Sequence, residues 1–349
     1  MNTAFYARMN NSNRGRIYAL ILIVFFLLLY TYASSAHEQV SNKEKTFAFI
    51  PGDGLKIDID LGDVKIVTWQ QNKIHVRMRK WVSAGSEKQL VQKMQNLQVE
   101  FVSGNHRLEI RQLNRNAKNF LSSILKKTGL KRKPSSRIDL SLQVPRKVAL
   151  VIILANGNIS ISALHGNLEI AQKEGELNLD SLYADKIDLR LGNVHSRIEN
   201  LQGYSSSMVN MGISAGKGIL IIEKSNIGKL VTRLKEAEGY FIGNRTSGFD
   251  VQSKTGDIFV RPVGFKNCQF RIESEHGDIH FFMPEALPCS ISMETGLGRI
   301  RTPYSWVIRK RGSTHYFRLK KTNPAGGKID IVTDFGDIQI EKIWQGEPP

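Results

Sequence analysis

A short phrase returns along this chain: a glycine, a small polar or acidic residue, then alternating apolar residues. It stands at Gly62 (GDVKIV), Gly157 (GNISIS), Gly166 (GNLEIA), Gly175 (GELNLD), Gly192 (GNVHSR), Gly256 (GDIFVR), Gly277 (GDIHFF) and Gly336 (GDIQIE), with a looser copy at Gly298 (GRIRT). Glycine accepts the positive φ of a tight corner, and Asp or Asn tolerates the next turn position. The alternation that follows turns one strand face inward. A turn-plus-strand unit repeated at a fixed period constrains the chain to a stacked β architecture.

The spacing refines this. Gly157, Gly166 and Gly175 lie nine residues apart, and Gly256, Gly277 and Gly298 lie 21 apart. A 21-residue rung holds two or three short strands with their turns, and stacked rungs place Ile, Val and Leu in columns. We therefore expect an all-β solenoid over residues 138–344, preceded over 37–137 by a small β-rich lead-in and followed by a frayed tail, 345–349. An antiparallel sandwich, which also suits strands every 8 to 12 residues, is the competing architecture. The lead-in reads as strands (TFAFIP, LKIDIDL, DVKIVTW, KIHVRMRKW), then a helix over 86–97, then LQVEFVS and HRLEIRQL. The helix opens on the capping box Ser86-Glu87-Lys88-Gln89, with Leu90, Met94 and Leu97 on one face. Residues 203–248 depart from the regular pattern, leaving the rung count there open.

The N-terminus reads as an export signal. Arg8, Arg14 and Arg16 precede an apolar run from Ile17 to Tyr32, and Ala33-Ser34-Ser35-Ala36 supplies small residues for cleavage. Cleavage after Ala36 leaves a mature chain starting at His37. The alternative is an uncleaved signal anchor, for which sixteen apolar residues are short of the roughly 20 a spanning helix needs. Either way the body is translocated, to the periplasm, the cell surface or the medium, and stays membrane-anchored if cleavage does not occur.

Formal net charge is +17 at pH 7, from 49 Lys and Arg against 32 Asp and Glu. The first 36 residues hold three of those cations and no acid, so the mature chain stays at +14. A basic exported protein is drawn to acidic partners: an anionic envelope surface, an acidic glycan or another envelope protein. The charge clusters at Lys126, Lys127, Lys131, Arg132, Lys133 and Arg137, a Gly- and Pro-containing loop behind a short amphipathic helix (Phe120, Leu121, Ile124, Leu125). That loop is the candidate contact for an anionic surface, the competing view being a solvated loop beside a helix that caps the solenoid. A second basic run, Arg309 to Lys321, contains Tyr316 and Phe317. Basic and aromatic residues together can bind single strands, but an excursion between rungs explains this run better and nucleic acid is disfavoured. Oligomeric state is not legible.

Cys268 and Cys289 each lie twelve residues after a turn glycine, so the 21-residue register predicts that they stack on adjacent rungs. Neighbouring strands are about 4.8 Å apart, inside the roughly 4.4–6.8 Å Cα range of a disulfide. With export implying an oxidising compartment, the pair is a candidate disulfide.

The sequence carries no H-E-x-x-H, Walker A loop or C-x-x-C. His165, His195, His276, His280 and His315 are scattered. Asp58 and Asp60 share a strand face with Asp63 at the following corner, and paired carboxylates can bind Ca²⁺ or serve as acid and base. The alternation KIDIDL already turns Ile57, Ile59 and Leu61 inward, which makes the aspartates an ordinary polar face. Asp257, Asp278 and Asp337 read as corner residues. No catalytic residue, metal or cofactor is expected.

The order of these phrases resembles the bacterial putative adhesin family of exported proteins of unknown function. The resemblance rests on FIPGDGLKIDIDLGDVKIVTWQQNKIHVRMRK, on IDLSLQVPRKVALVIILANGNISISALHGNLEIA, and on SKTGDIFVRPVG and SEHGDIHFFMPE, and spans roughly Phe47 to Ile343. It implies a β-solenoid of G-D-[IV] repeats and a surface or adhesive role, without catalytic residues. The expected function is a non-enzymatic, envelope-associated binding protein. The alternative is a polysaccharide-active β-helix enzyme with acids lined up on one solenoid face.

Overall fold

The computed structural model describes residues 37–50, 52–104, 106–113, 135–203, 208–265, 267–284, 289–319 and 327–343. The expected export signal, Lys126 to Lys133 with the short helix expected before them, Lys320, Lys321 and the tail 345–349 lie outside these residues.

The architecture is a β-solenoid, as the repeats predict. Each rung contributes a strand to a first ladder and a strand to a second, with a corner between them. The lead-in already forms a rung: β1 (His37–Ala48) is followed by β2 (Gly54–Leu61) in the first ladder, then β3 (Val64–Trp69) and β4 (Lys73–Ala84) in the second. After α1 (Glu87–Asn96) come β5 (Val99–Gly104) and β6 (Arg107–Gln112), then β7 (Ser136–Pro145), β8 (Ala149–Asn156) and β9 (Ile159–Ser162). β2 pairs in parallel with β6 on one side and β8 on the other; β3 lies likewise between β7 and β9. The expected division at residue 137 therefore does not separate two folding units, and the buried side chains form one cluster.

From here the rungs stack in parallel and in chain order. β10 (Leu168–Asp180), β11 (Lys186–Glu199) and β12 (Val209–Glu223) each bend through both ladders, and β13 (Asn226–Thr255) runs over two rungs, completed by β14 (Ile258–Pro262). Over residues 208–248 these strands pair in parallel like their neighbours, with register shifts at Val209/Asn210 and Ile242/Asn244. β15 (Cys268–His276) and β16 (Ile279–Met283) follow. Alternation then does what the sequence promised. Ile57, Ile152, Ile170, Leu189 and Ile213 lie in register on successive rungs, all buried. Each such side chain contributes about 1.5–3 kcal/mol by leaving water.

The C-terminal end breaks chain order. β17 (Ser290–Thr295) and β18 (Ile300–Arg301) do not stack on β15 and β16; the chain turns through β19 (Arg309–Arg311) and β20 (Thr314–Leu319) and returns to place β21 (Gly327–Phe335) and β22 (Ile338–Lys342) in between. The last-written rung is thus sandwiched by two written earlier.

Both ends are closed. At the start, α1 packs on β4 and β1 through Leu90 and Leu97. Its capping-box serine works as expected, Ser86 Oγ accepting from the Gln89 amide. At the far end the β19–β20 hairpin pairs antiparallel with β17, and Trp306 stacks on Phe317 at 4.4 Å and 8°.

Candidate functional site

The repeated corner comes first, because it decides which acids are available for chemistry. Corner glycines stack on the corner of the rung below so closely that a Cβ on Gly157 would lie 1.7 Å from Gly62 O, and one on Gly277 2.3 Å from Gly256 O. The residue after several of these glycines then bridges rungs. Asp257 accepts from the Asp278 amide (2.8 Å), Asp278 from the Asp337 amide (2.7 Å), and Asp337 from the Arg299 amide (2.8 Å). In the earlier rungs Asp139 accepts from the Asp63 amide, Asp63 from Asn158, and Asn158 from Glu176. A set of hydroxyl donors lies inside the corner. The hydroxyls of Ser253, Thr295 and Thr333 donate to corner carbonyls. Their common phrase, S/T-x-x-G (SKTG, TGLG, TDFG), was legible in the sequence and passed unread.

The histidines form no cluster. On the second ladder Tyr240, Phe259 and His280 stack across successive rungs, with ring centroids 4.6 and 4.4 Å apart and planes within 13°. Each ring's face is taken by the next, so this row offers edges, not a platform. His276 stacks on Phe335 (4.7 Å), and His315 lies 2.8 Å from Gly298 O. His165 packs at 4.6 Å against Tyr183; burial, then Arg146 and Lys147, push its pKa below the ordinary histidine value. His195 is exposed. Among the described residues no three His, Cys, Asp or Glu side chains come together as a metal site.

A concavity lies on the outer face of the first ladder. It is a groove of about 430 Å³ crossing β2, β8, β10, β11 and β12. Its floor carries small side chains, among them Ala155, Ala171 and Ser214, and the bare backbone of Gly192; its rim carries Asp60, Lys173 and Arg190. The floor is bare for a reason of folding: a Cβ on Gly192 would stand 2.4 Å from Lys173 O. Asp60 sits on the outer face with Asp58, as the alternation KIDIDL requires; Leu55, Ile57 and Ile59 point inward and Leu61 is half-buried. Burial holds the Asp60 carboxyl above the usual carboxylate range, with Lys173 pulling the other way. Arg190 is tied to Glu169 at 2.6 Å.

A family model, Toastrack DUF4097, matches residues 53–341. The chain belongs to the Toastrack DUF4097 family. No curated protein matches it significantly. Among solved structures, it is similar to a putative cell adhesion protein from Clostridium sporogenes (13% identity, 87% of this chain and 100% of that one, TM-score 0.22). It is also similar to a putative adhesin (12%, 87% and 97%, 0.42) and a putative lipid binding protein (10%, 86% and 97%, 0.37), both from Parabacteroides distasonis. Likeness at these scores carries no argument about function.

Other expected sites of this Toastrack chain change under the structure. Of the candidate anionic-surface contacts, Lys126, Lys127, Lys131, Arg132 and Lys133 fall outside the described residues. Arg137 is a half-buried brace whose guanidinium donates to Asp63 (2.7 Å) and Asp139 (2.6 Å), which disqualifies it as a free contact. In the second basic run Phe317 is buried under Trp306, so its ring cannot stack a base. The cysteine register is corrected. Cys268 pairs with Gly327 and Ser290 with Lys328, which places β21 between the two cysteines. Two strand spacings are about 9.6 Å, beyond disulfide reach. Both thiols are free and buried. The Cys289 thiol and then burial push the Cys268 pKa far upward.

Proposed function

We propose that this Toastrack chain is an exported, non-enzymatic binding protein with an adhesin-like role at the cell envelope. One observation carries the reading: the repeated acids are spent on the fold. Asp63, Asp257, Asp278 and Asp337 accept backbone hydrogen bonds from neighbouring rungs. What the repeats leave for other molecules is the long outer face of each ladder, a geometry suited to extended partners. The net charge of +17 favours anionic ones: an envelope surface, an acidic glycan or an acidic envelope protein. Export rests on the apolar run Ile17 to Tyr32 and the small residues after it.

The test is fractionation of the native host followed by envelope pull-down with the full chain. The expected result is a chain in the envelope or exterior, retained by envelope fractions and released by salt. A chain found in the cytoplasm with Met1 intact, or one that envelope fractions do not retain, refutes the proposal.

One observation favours the enzymatic alternative: Asp58 and Asp60 share an outer face, and the Asp60 carboxyl is held above its usual range. A glycosidase needs two carboxylates flanking one bond, about 5–9.5 Å apart. Release of reducing ends from an acidic polysaccharide by the full chain, lost in Asp60→Asn, would establish the enzyme over the binder.

A further inference from the structure

We propose that the groove crossing β2, β8, β10, β11 and β12 binds a single chain of acidic polysaccharide, an inference that rests on the binding role above and names its ligand. The shape argues for a linear polymer. The groove spans five successive strands of the first ladder. Four strand spacings make it about 19 Å long, and its two outward rows, two residues apart on each strand, make it about 7 Å wide. An α-helix with its side chains is about 10–12 Å across and does not enter.

The lining argues for a sugar. Ala155, Ala171 and Gly192 give a low apolar floor on which the C–H face of a pyranose can rest, while Asp60 and Ser214 offer hydrogen-bonding groups to hydroxyls. An acyl chain would use the floor and leave the rim's polar groups dehydrated without return. The charge argues for acidic units. Lys173 stands exposed on the groove's rim, where a carboxylate of a polymer can meet it, while Arg190 on the next strand is held by Glu169.

The groove is also bounded. The row Ile153, Ala171, Arg190, Ser214 continues as Arg233 on the next rung, and further on Gln252 pairs with Glu273, so past Ser214 it carries only long side chains. The bare stretch is therefore local to these rungs and not a property of the repeat.

The probe is a hexamer of α-1,4-linked galacturonate, with maltohexaose as the neutral chain of equal length, titrated calorimetrically into the purified full chain. The acidic hexamer is expected to bind saturably and more weakly as salt rises, and the neutral one at least about tenfold more weakly. Lys173→Glu removes a cation from the groove, and Ala171→Trp fills the floor without changing charge; each should cost about tenfold or more. Lys65→Glu makes the same charge change on the exposed outer face of the second ladder and should leave binding unchanged. Thermal melts of all three variants, matched to the parent, confirm that losses are not unfolding. No binding of the acidic hexamer by the parent chain overturns the inference. So does binding that survives Ala171→Trp, or that falls as far with Lys65→Glu as with Lys173→Glu. Envelope retention separates the two readings: retention that survives Ala171→Trp overturns the groove but leaves the envelope role standing, whereas no retention of the parent overturns that role itself.

Discussion

Replacing Gly157 with alanine tests the corner directly. Gly157 has φ +138°, and a Cβ built there lies 1.7 Å from Gly62 O. To restore an ordinary 3.4 Å contact, the two rungs must part by about 1.7 Å at the corner. Three bonds hold the rungs together at that point: Gly62 N to Asn156 O (3.0 Å), Val64 N to Asn158 O (2.8 Å) and Asn158 N to Asp63 Oδ1 (3.0 Å). Lengthened by that much, none remains a hydrogen bond. Three bonds at about 1 kcal/mol each, with about 2 kcal/mol for an alanine in a glycine-only region, give a loss of about 5 kcal/mol. Two controls separate the contributions. Gly312 has φ +62° with nothing within 4 Å, so Gly312→Ala should cost only the conformational part, about 1–2 kcal/mol. Gly104 has neither constraint, and Gly104→Ala should be close to neutral. Urea unfolding of the full chain, followed by circular dichroism, ranks the three by midpoint. A Gly157→Ala midpoint no lower than that of Gly312→Ala would refute the claim that rung contact, and not φ alone, demands glycine at these corners.

Further outcomes follow from single groups. Thr295→Val removes a hydroxyl that donates to Gly336 O (2.7 Å) and accepts from the Gly298 amide (3.0 Å), and should cost about 2 kcal/mol in urea unfolding. Ser274 holds the same S/T-x-x-G position, but its buried hydroxyl has no hydrogen-bond partner, so Ser274→Ala should be neutral or stabilising. The folded-state pKa of His165 lies below 6.5, so the unfolded chain takes up the proton first and stability should fall as pH drops below about 6.5. His165→Gln should flatten that slope in melts between pH 7 and 5. Asp60 is the opposite case: its raised folded-state pKa means a penalty that appears as pH rises above 3.8, so Asp60→Asn should raise the melting temperature at pH 7 and not at pH 3.

The repeat was the most legible part of this protein, because backbone geometry wrote it. Glycine recurs where one rung's corner touches the next, and a short acceptor after it reaches the next amide, so GD and GN mark many of these corners, while Val194 and Ala237 stand in the same column. The nine-residue spacing was half legible. Gly157 and Gly175 stack on one corner, whereas Gly166 sits against Val148 at another, so nine residues are half a rung. A further column stayed hidden because its residues carry no common signal. Ala163, Ser181, Asn200, Lys224 and Gly243 all have φ between 50° and 66° at one position of successive rungs, held there by tertiary hydrogen bonds such as Ala163 N to Asp180 O. The groove was also hidden. It is made by what is missing at Ala155, Ala171 and Gly192 across three strands, and no local pattern announces an absence shared between rungs.

The order of the last rungs could not be read, because parallel stacking places no limit on which free edge a strand joins. Gly298 follows Gly277 by the same 21 residues that separate Gly277 from Gly256, so sequence spacing favours β17 directly upon β15. The folded chain instead puts β21 between them, and Gly327 permits it: with φ +82° and a Cβ position 2.2 Å from Cys268 O, no larger residue fits between the cysteines. This predicts what happens when the inserted rung is removed. A chain ending at Leu319 lacks β21 and β22, leaving the exposed edges of β15 and β17 one gap apart. Closing that gap in the 21-residue register brings Cys289 onto Cys268 at about 4.8 Å, inside disulfide range. Under oxidised glutathione the truncated chain should lose two hydrogens by intact mass and form an intramolecular disulfide through thiol–disulfide exchange. The full chain under the same conditions should keep both thiols, unreactive to alkylation until denatured, since each is buried and separated by a strand. A disulfide in the full chain would refute the inserted position of β21. A truncated chain that folds yet stays reduced would refute the idea that the 21-residue period encodes a second, directly stacked register.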